Sequence, residues 1–225
     1  MKKTRNFLLK LFISLLVISC SSGSAKNAKE TKQGDWTSGE KTEKTSDNLN
    51  ATNATGSTTT TVSANAITIQ KAGGVFGIIN DKGPFSFTFA GHDYTSKLNG
   101  DKRKYEGNKE IVEVKYKDDG FKVRTADGKL LWKVKITDDK IKISDNEESK
   151  NPWEIKISES GKAKVKKEDK DIGKVKLNQS KKEIEASEFV IKADKLSLAY
   201  GVLLINEIPE RDKFIIMTEL IAKDK

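Results

Sequence analysis

The sequence is poor in the residues from which most catalytic and metal sites are built. Its 225 residues include one Cys, one His, two Met and three Pro. One His and one Cys exclude a His-rich zinc site, a Cys cluster or a Cys-based redox pair within one chain. Aromatic residues make up 7% of the chain and hydrophobic residues 35%. A packed core can therefore occupy only part of the chain, and we expect a sizeable disordered segment.

Charge is plentiful and mildly positive. Lys and Arg number 42 against 33 Asp and Glu, so the net charge is +9, and 33% of the residues are charged. Four of the basic residues, Lys2, Lys3, Arg5 and Lys10, lie in the first ten positions, and without them the net charge falls to about +5. The length fits one medium domain with a tail better than two domains.

The first twenty residues predict an export signal. A basic start is followed by an apolar stretch from Phe7 to Ile18, then Ser19 and Cys20. The stretch is shorter than the ~20 apolar residues that a stable transmembrane helix needs. An ordinary secretory signal followed by a chance cysteine is one interpretation.

Val17-Ile18-Ser19-Cys20 resembles the lipobox of bacterial lipoproteins, with an aliphatic residue at position minus three and a small residue before an obligatory Cys. The resemblance implies that residues 1–19 are cleaved as a signal peptide and that Cys20 is acylated at the new N-terminus. Two or three acyl chains then anchor the protein to a membrane. Ser21 and Ser22 replace the Asp that retains such proteins at the inner membrane, so we expect the outer membrane, facing the periplasm or the surface.

Residues 20–65 predict a disordered tether that begins at the lipidated Cys. The segment is rich in Ser, Thr and Lys, and Trp36, Leu49 and Val62 are its main apolar residues. Such a composition cannot offset the entropy lost on ordering.

Residues 66–225 predict a β-rich domain. Apolar and polar residues alternate along short segments separated by turn signals such as Asp127-Gly128 and Ser160-Gly161. The clearest segments are Ile67–Ile69, Val75–Ile79, Phe85–Phe89, Val123–Thr125, Leu130–Ile136, Ile141–Ile143, Trp153–Ile157, Val175–Leu177 and Phe189–Ile191. We expect about twelve short antiparallel strands in a closed or nearly closed barrel, because so many short strands need their edges hidden.

Two C-terminal segments do not alternate. Leu196–Ile205 is apolar throughout, and Pro209–Ala222 predicts a helix with Pro209 at its first position and Glu210 and Asp212 near its N-terminus. Apolar residues cover most of this helix, which is typical of a helix surrounded by protein. We therefore predict an apolar C-terminal helix buried inside the barrel.

A β-meander that ends in such a helix, with the strand, Asp-Gly turn and returning strand of Phe121–Val134, resembles the tubby-like superfamily in its LURP-one-related and phospholipid-scramblase branches. The resemblance implies a tubby-like barrel around a central helix and binding of phosphoinositides or phospholipids. It supplies no catalytic motif. Leu196–Ile205 is an addition to the family pattern, and the Cys-rich stretch of scramblases is missing.

Candidates for catalysis and metal binding are weak, and we predict no catalytic residue, metal or cofactor. His92-Asp93 lies near Ser86 and Ser96, but no nucleophile elbow is present. The acidic cluster Asp145–Glu148 lacks the spacing of a calcium loop.

Lysines between core positions are the strongest functional signal. Such alternation places their amines on one outer face, which suits anionic lipid headgroups; lysines that only keep the sheet soluble are the alternative explanation. The predicted binding residues are Lys133, Lys135, Lys140, Lys142, Lys164, Lys166, Lys174 and Lys176. We therefore predict a membrane-anchored, non-catalytic envelope lipoprotein that binds anionic lipid. The alternative is a structural or assembly lipoprotein that docks to another envelope protein, and nucleic acid is not expected as a partner.

Overall fold

The computed structural model describes residues 66–80, 85–158, 160–193 and 195–225. The predictions for the signal peptide, the acylated Cys20 and the tether lie outside these residues.

Fourteen strands form one closed antiparallel barrel in which each strand pairs with its neighbours in the chain. The strands are β1 (Ala66–Lys71), β2 (Gly74–Asn80), β3 (Ser86–Phe89), β4 (His92–Asn99), β5 (Lys102–Gly107), β6 (Glu110–Lys117), β7 (Gly120–Thr125), β8 (Leu130–Ile136), β9 (Lys140–Ser144), β10 (Trp153–Ile157), β11 (Ala163–Lys167), β12 (Lys170–Asn178), β13 (Glu183–Ala186) and β14 (Phe189–Lys192). The barrel closes where β1 pairs with β14, with Ile69 opposite Ile191. A closed barrel leaves no strand edge unpaired.

The alternation in the sequence sets the two faces of the wall. Successive side chains of a strand point to opposite faces, so every second residue reaches the interior. Val123, Trp132, Val134, Ile141 and Ile143 are buried in this way, together with their counterparts on the other strands. The outer face is left to polar residues, mostly Lys and Glu.

Two helical segments fill the interior. Leu198–Leu204 is a 3₁₀-helix, η1, and every one of its residues is buried. Glu210–Ile221 is an α-helix, α1, and its residues from Asp212 to Leu220 are all buried. The helices pack on each other; η1 also contacts β10 to β13, while α1 contacts β2 and β3. The apolar segment that precedes the C-terminal helix is therefore part of the core.

The barrel has fourteen strands, whereas the sequence predicts about twelve. The segments that were not singled out in the sequence include β4 and β5, whose inward residues are Tyr94, Ser96, Arg103 and Tyr105. Polar and aromatic residues at inward positions break the aliphatic alternation, so the sequence pattern is weak there. The mainly β fold, the barrel and the C-terminal helix are confirmed.

The C-terminal helix is buried but is not apolar on all sides. Asp212, Lys213, Thr218 and Glu219 are among its buried residues. Pro209 is the N-cap of the helix, one position before the predicted one, while Glu210 and Asp212 lie in the first turn as expected. Each buried carboxylate must therefore have partners on the barrel wall.

Both ends of α1 are held by such partners. Near its start, the indole nitrogen Nε1 of Trp132 donates to Oδ2 of Asp212 at 2.8 Å. Arg211 donates to Oδ1 of Asp212 through Nε and Nη2 at 2.8 and 2.7 Å, and through Nη1 to Glu110 on the wall at 2.8 Å. Burial opposes the charge on Arg211, but its carboxylate neighbours raise its pKa.

At the other end, Glu219 accepts two hydrogen bonds from the wall and forms an ion pair with Arg103. The hydroxyls of Tyr105 and Tyr116 donate to Oε1 and Oε2 at 2.8 and 2.7 Å, and Nε of Arg103 lies 3.1 Å from Oε1. Burial raises the pKa of Glu219 in spite of these bonds. Burial and the adjacent carboxylate also raise the pKa of both tyrosines.

The two ends of the barrel are distinct. We call the end where β1 begins at Ala66 the terminal rim; it also carries the last residues of the chain, since Lys195 pairs with Asp224 at 2.7 Å and Ser197 donates to the carbonyl oxygen of Lys225. Antiparallel strands place the β8–β9, β10–β11 and β12–β13 turns at the same end. The other end, which we call the loop rim, carries the β1–β2 turn and the loop between the two helices.

No helix in the described part of the chain is long and apolar enough to cross a membrane.

Candidate anion-binding surface

All eight lysines predicted to bind anions lie on the wall among strands β8 to β12. Their neighbours along the strands, such as Val134, Ile141, Val165 and Val175, are buried in the core. The alternation therefore places the lysine side chains on the outer face of the wall.

Half of the predicted lysines have partners: three form ion pairs and one donates to a backbone carbonyl. Lys133 donates to the carbonyl oxygen of Glu147. The ion pairs are Lys135 with Asp119 at 3.4 Å, Lys142 with Glu154 at 2.8 Å, and Lys166 with Asp171 at 3.4 Å. The hydrogen bond from Lys142 lowers the pKa of Glu154, and the charges of Lys142, Lys140 and Lys156 lower it further. These paired lysines have less charge to offer a ligand.

The other predicted lysines include three members of a row in direct register. Lys140 lies opposite Lys156, Lys156 opposite Lys164, and Lys164 opposite Lys174, across the four strands β9 to β12. We call these four residues the lysine row. Among the described residues, none of the four has a carboxylate within ion-pairing distance or a side-chain hydrogen bond. At a strand spacing of about 4.8 Å, the row is about 14 Å long.

Lys156 completes the row and is absent from the predicted set. Its signal was in the sequence, because it lies between Ile155 and Ile157 on a strand that the alternation predicts. Lys176, the eighth predicted lysine, lies beyond the row on β12 and opposite Glu185. The structure thus brings Lys140, Lys164 and Lys174 together and leaves Lys176 beside an acidic residue.

A second line of opposed lysines shows what is unusual about the row. Lys102, Lys115, Lys122 and Lys133 are also in direct register across β5 to β8. We call them the paired line, because each has a partner. Lys102 is 3.8 Å from Glu113, Lys115 is 3.8 Å from Asp101, Lys122 pairs with a carboxylate oxygen of Glu147, and Lys133 donates to the Glu147 carbonyl. Like charges directly opposite each other destabilise a sheet. Direct partners compensate that cost in the paired line, whereas the lysine row has none within ion-pairing distance among the described residues.

A depression of about 770 Å³ lies beside the two middle members of the row, Lys156 and Lys164, on the side of the terminal rim. Its basic lining is Lys156, Lys164 and Lys166, and the hydroxyls of Ser158 and Ser160 are 2.9 Å apart in the adjoining turn. Ammonium groups and hydroxyls are donors that suit an anion with several oxygens. Ile157 also lines the depression and is 48% exposed.

The residues considered for catalysis and calcium binding have other surroundings. His92 is exposed at the loop rim, while Asp93 accepts from Thr88 at 2.6 Å and Ser96 donates to the carbonyl oxygen of Phe85 at 2.5 Å. In the acidic cluster, Glu147 binds Lys122 and Arg124. No group of three or more potential metal ligands occurs among residues 66–80, 85–158, 160–193 and 195–225.

The fold and this surface define the class of protein: a closed antiparallel β-barrel, filled by its own C-terminal helices, with a row of lysines on the outer wall that have no ion-pair partner in the described part of the chain. No family model, no curated protein and no solved structure matches the chain.

Proposed function

We propose that the protein is a lipid-anchored envelope protein whose barrel binds anionic lipid headgroups and performs no catalysis. The observation that carries the proposal is the lysine row, which places four opposed ammonium groups on neighbouring strands with no described carboxylate within ion-pairing distance. An arrangement that weakens the sheet calls for a compensating partner, and anionic headgroups supply the negative charge. Each lysine close to an anionic membrane contributes about 1 kcal/mol to binding.

The anchor in the proposal is the acylated Cys20, as the lipobox resemblance implies, at the outer membrane. The barrel around a C-terminal helix also supports a tubby-like architecture, whose relatives bind phospholipids. Fourteen strands and the 3₁₀-helix beside α1 are departures from that pattern.

Vesicle cosedimentation tests the headgroup proposal. The chain from position 20 onward, with Cys20→Ser to prevent acylation, is mixed with vesicles of phosphatidylcholine alone or with an equal part of phosphatidylglycerol, over a series of salt concentrations. We expect binding only to the anionic vesicles, weakening as salt screens the charges.

A matched pair of variants assigns that binding to the lysine row. One carries Gln at Lys140, Lys156, Lys164 and Lys174, and the other carries Gln at all four positions of the paired line, Lys102, Lys115, Lys122 and Lys133. Both variants lose the same number of charges, so a difference between them reports where the charges lie. We expect the first variant to lose most of its binding to anionic vesicles and the second to keep most of it. Equal losses would show that net charge alone is responsible. Absence of binding by the unsubstituted, folded protein would contradict the proposal and favour an envelope protein as the partner.

A further inference from the structure

The depression below the β10–β11 turn adds two serine hydroxyls and an exposed isoleucine to the opposed lysines of the row. Two unpaired ammonium groups, those of Lys156 and Lys164, lie directly opposite each other at its wall. Two serine hydroxyls close it on the side of the turn, and an isoleucine stands half exposed at its edge. Asp139 is the one carboxylate in its described lining.

Charge around the terminal rim is unevenly distributed. The turns on the β4 to β9 side carry Asp101, Asp118, Asp119, Asp138 and Asp139, of which Asp101 and Asp119 pair with Lys115 and Lys135. The turns on the β10 to β13 side carry Lys162, Lys181 and Lys182, none of which has an ion-pair partner among the described residues. An anionic surface attracts the second side and repels the first. The depression lies at the start of the basic side.

The chain enters the barrel on the same side. Ala66 starts β1 at the terminal rim, and β1 pairs with β14, which follows the basic strands. Cys20 precedes Ala66 by 46 residues in the sequence. The segment that follows Cys20 therefore joins the barrel at the end that carries the depression.

We propose that the depression holds the phosphate group of an anionic phospholipid in a bilayer, with Lys156 and Lys164 on the phosphate oxygens, Ser158 and Ser160 as hydroxyl donors, and Ile157 entering the interface between headgroups and acyl chains. This inference rests on the proposed function and adds a particular binding site and an apolar contact to it. It also adds a tilted orientation of the barrel, with the basic side of the terminal rim against the membrane. Lys166 keeps its ion pair with Asp171 and forms the outer edge of the site.

The first test compares two charge reversals of equal size in the Cys20→Ser chain. The site variant is Lys156→Glu with Lys164→Glu, and the control is Lys97→Glu with Lys129→Glu. Lys97 is exposed on β4 and lies opposite another lysine, Lys104, on the far side of the barrel, and Lys129 is exposed in a turn at the loop rim. On vesicles with equal parts of phosphatidylglycerol and phosphatidylcholine, we expect at least about tenfold weaker binding for the site variant and about twofold or less for the control. Equal losses would overturn the site while leaving the headgroup proposal standing.

The second test places a polarity-sensitive fluorophore on a single cysteine in the same background. The label is attached at Ile157→Cys near the depression, at Leu98→Cys on the acidic side of the terminal rim, or at Val75→Cys on the loop rim. All three side chains are exposed, at 48%, 59% and 63%. A blue shift on anionic vesicles is expected at position 157 only. Blue shifts at both 157 and 98 would show that the barrel contacts the membrane end-on and is not tilted. A blue shift only at 75 would overturn the inference.

A competition experiment with a soluble phosphate compound distinguishes a membrane site from a site for free phosphate compounds. Glycerol 3-phosphate carries the same anionic group without acyl chains, so it should compete only weakly with vesicles. Full competition at low concentration would show a site for a soluble phosphate and would overturn the membrane contact. Failure of the unsubstituted chain to bind any vesicle would remove the proposed function together with this inference, whereas binding without any preference for the site would remove the inference alone. Circular dichroism and the Tm of each variant confirm that it is folded.

Discussion

The hydroxyl of Tyr105 donates a 2.8 Å hydrogen bond to Oε1 of Glu219, joining the barrel wall to the central helix across 114 positions of sequence. Tyr116 donates to the second oxygen, and Arg103 bonds both to Tyr116 at 2.8 Å and to Ser96 at 3.2 Å. Glu219 is 2% exposed, so its charge depends on this network for solvation. The helix is therefore fixed in rotation and height by directional bonds as well as by packing.

The raised pKa of Glu219 predicts a pH dependence of stability. The native state binds a proton at this group more tightly than the unfolded state, whose pKa is near 4.5. Between the unfolded and native pKa values the native state holds more protons, so the contribution of Glu219 to stability falls as pH rises through that window. We expect Glu219→Gln to abolish this contribution.

Urea unfolding of the wild type and Glu219→Gln from pH 4 upward measures the effect. Surface carboxylates such as Glu154 and Glu183, whose pKa values are lowered chiefly by hydrogen bonds from lysines, impose the opposite slope in both proteins and cancel in the difference. The difference between the two free energies of unfolding should therefore shift in favour of the variant as pH rises. A difference independent of pH would contradict the prediction.

The contact between Trp132 and Asp212 predicts a strong energetic coupling. Asp212→Ala leaves the buried indole N–H without its acceptor and Arg211 with Glu110 as its remaining carboxylate, and a buried donor left unsatisfied costs about 1 to 3 kcal/mol. Trp132→Phe removes the donor but leaves Asp212 its bonds from Arg211. A double-mutant cycle measured by urea unfolding should give a coupling of about 1.5 to 3 kcal/mol, typical of a hydrogen bond to a charged group. Additive losses would show that the two side chains contribute independently.

Close packing of Gly77 against Phe214 predicts that even one methyl group is too large at this point of the wall. A Cβ at Gly77 would lie 2.2 Å from Cζ of Phe214 and 2.8 Å from the carbonyl oxygen of Thr88. Gly77→Ala should therefore lower stability by about 1 to 3 kcal/mol or more through overpacking. Gly74→Ala, on the same strand, is the control, since its nearest neighbour would be 3.8 Å away. Similar thermal unfolding of both variants would contradict the packing argument.

The lipobox predicts the fate of Cys20. If Cys20 is acylated, mass spectrometry of the N-terminal peptide from the native membrane fraction should show a diacylglyceryl-modified Cys20 with residues 1–19 removed. Cys20→Ser should abolish the modification and release the protein from membranes washed with high salt, because the charge contacts of the barrel are then screened. Cleavage elsewhere, with an unmodified thiol, would indicate an ordinary secretory signal.

The strands with aliphatic inward residues could be predicted from the sequence, because a period of two is visible without any tertiary information. Val123, Trp132, Ile141 and Ile143 show it clearly. On β4 and β5 the inward residues include Ser96, Arg103 and Tyr105, whose partner Glu219 comes from a helix far along the chain. No local pattern reveals that a wall residue will meet a buried carboxylate, so these strands and the polar face of the helix were missed.

The candidate surface shows a similar limit. Alternation placed the lysines on the outer wall, but which of them lie opposite each other depends on register. Register depends in turn on turn lengths and on bulges such as the one between Val165 and Lys166. That bulge sets Lys166 opposite Asp171, two positions away from Gly173, which lies opposite Val165. The separation of paired from unpaired lysines therefore had to come from the structure.

The register of Lys164 predicts that stability and binding respond to one substitution in opposite directions. Lys164 lies between Lys156 and Lys174, so Lys164→Glu turns two like-charge contacts into two pairs of opposite charge. We expect the free energy of unfolding to rise by about 0.5 to 2 kcal/mol. Lys166→Glu is the matched control on the same strand. It sets a third carboxylate between Glu154 and Asp171, so stability should fall although the change in net charge is the same.

Binding to anionic vesicles should follow the location of the charge and not the stability. Lys164→Glu removes an unpaired ammonium group from the lysine row, so its binding should fall by about tenfold although the protein is more stable. Lys166→Glu removes a lysine already paired with Asp171, so its binding should fall less although the protein is less stable. A variant that is more stable but binds vesicles more weakly would show that the opposed lysines lower the stability of the barrel and contribute to membrane binding. If Lys164→Glu stabilised the barrel and left binding unchanged, the lysine row would have no role at the membrane.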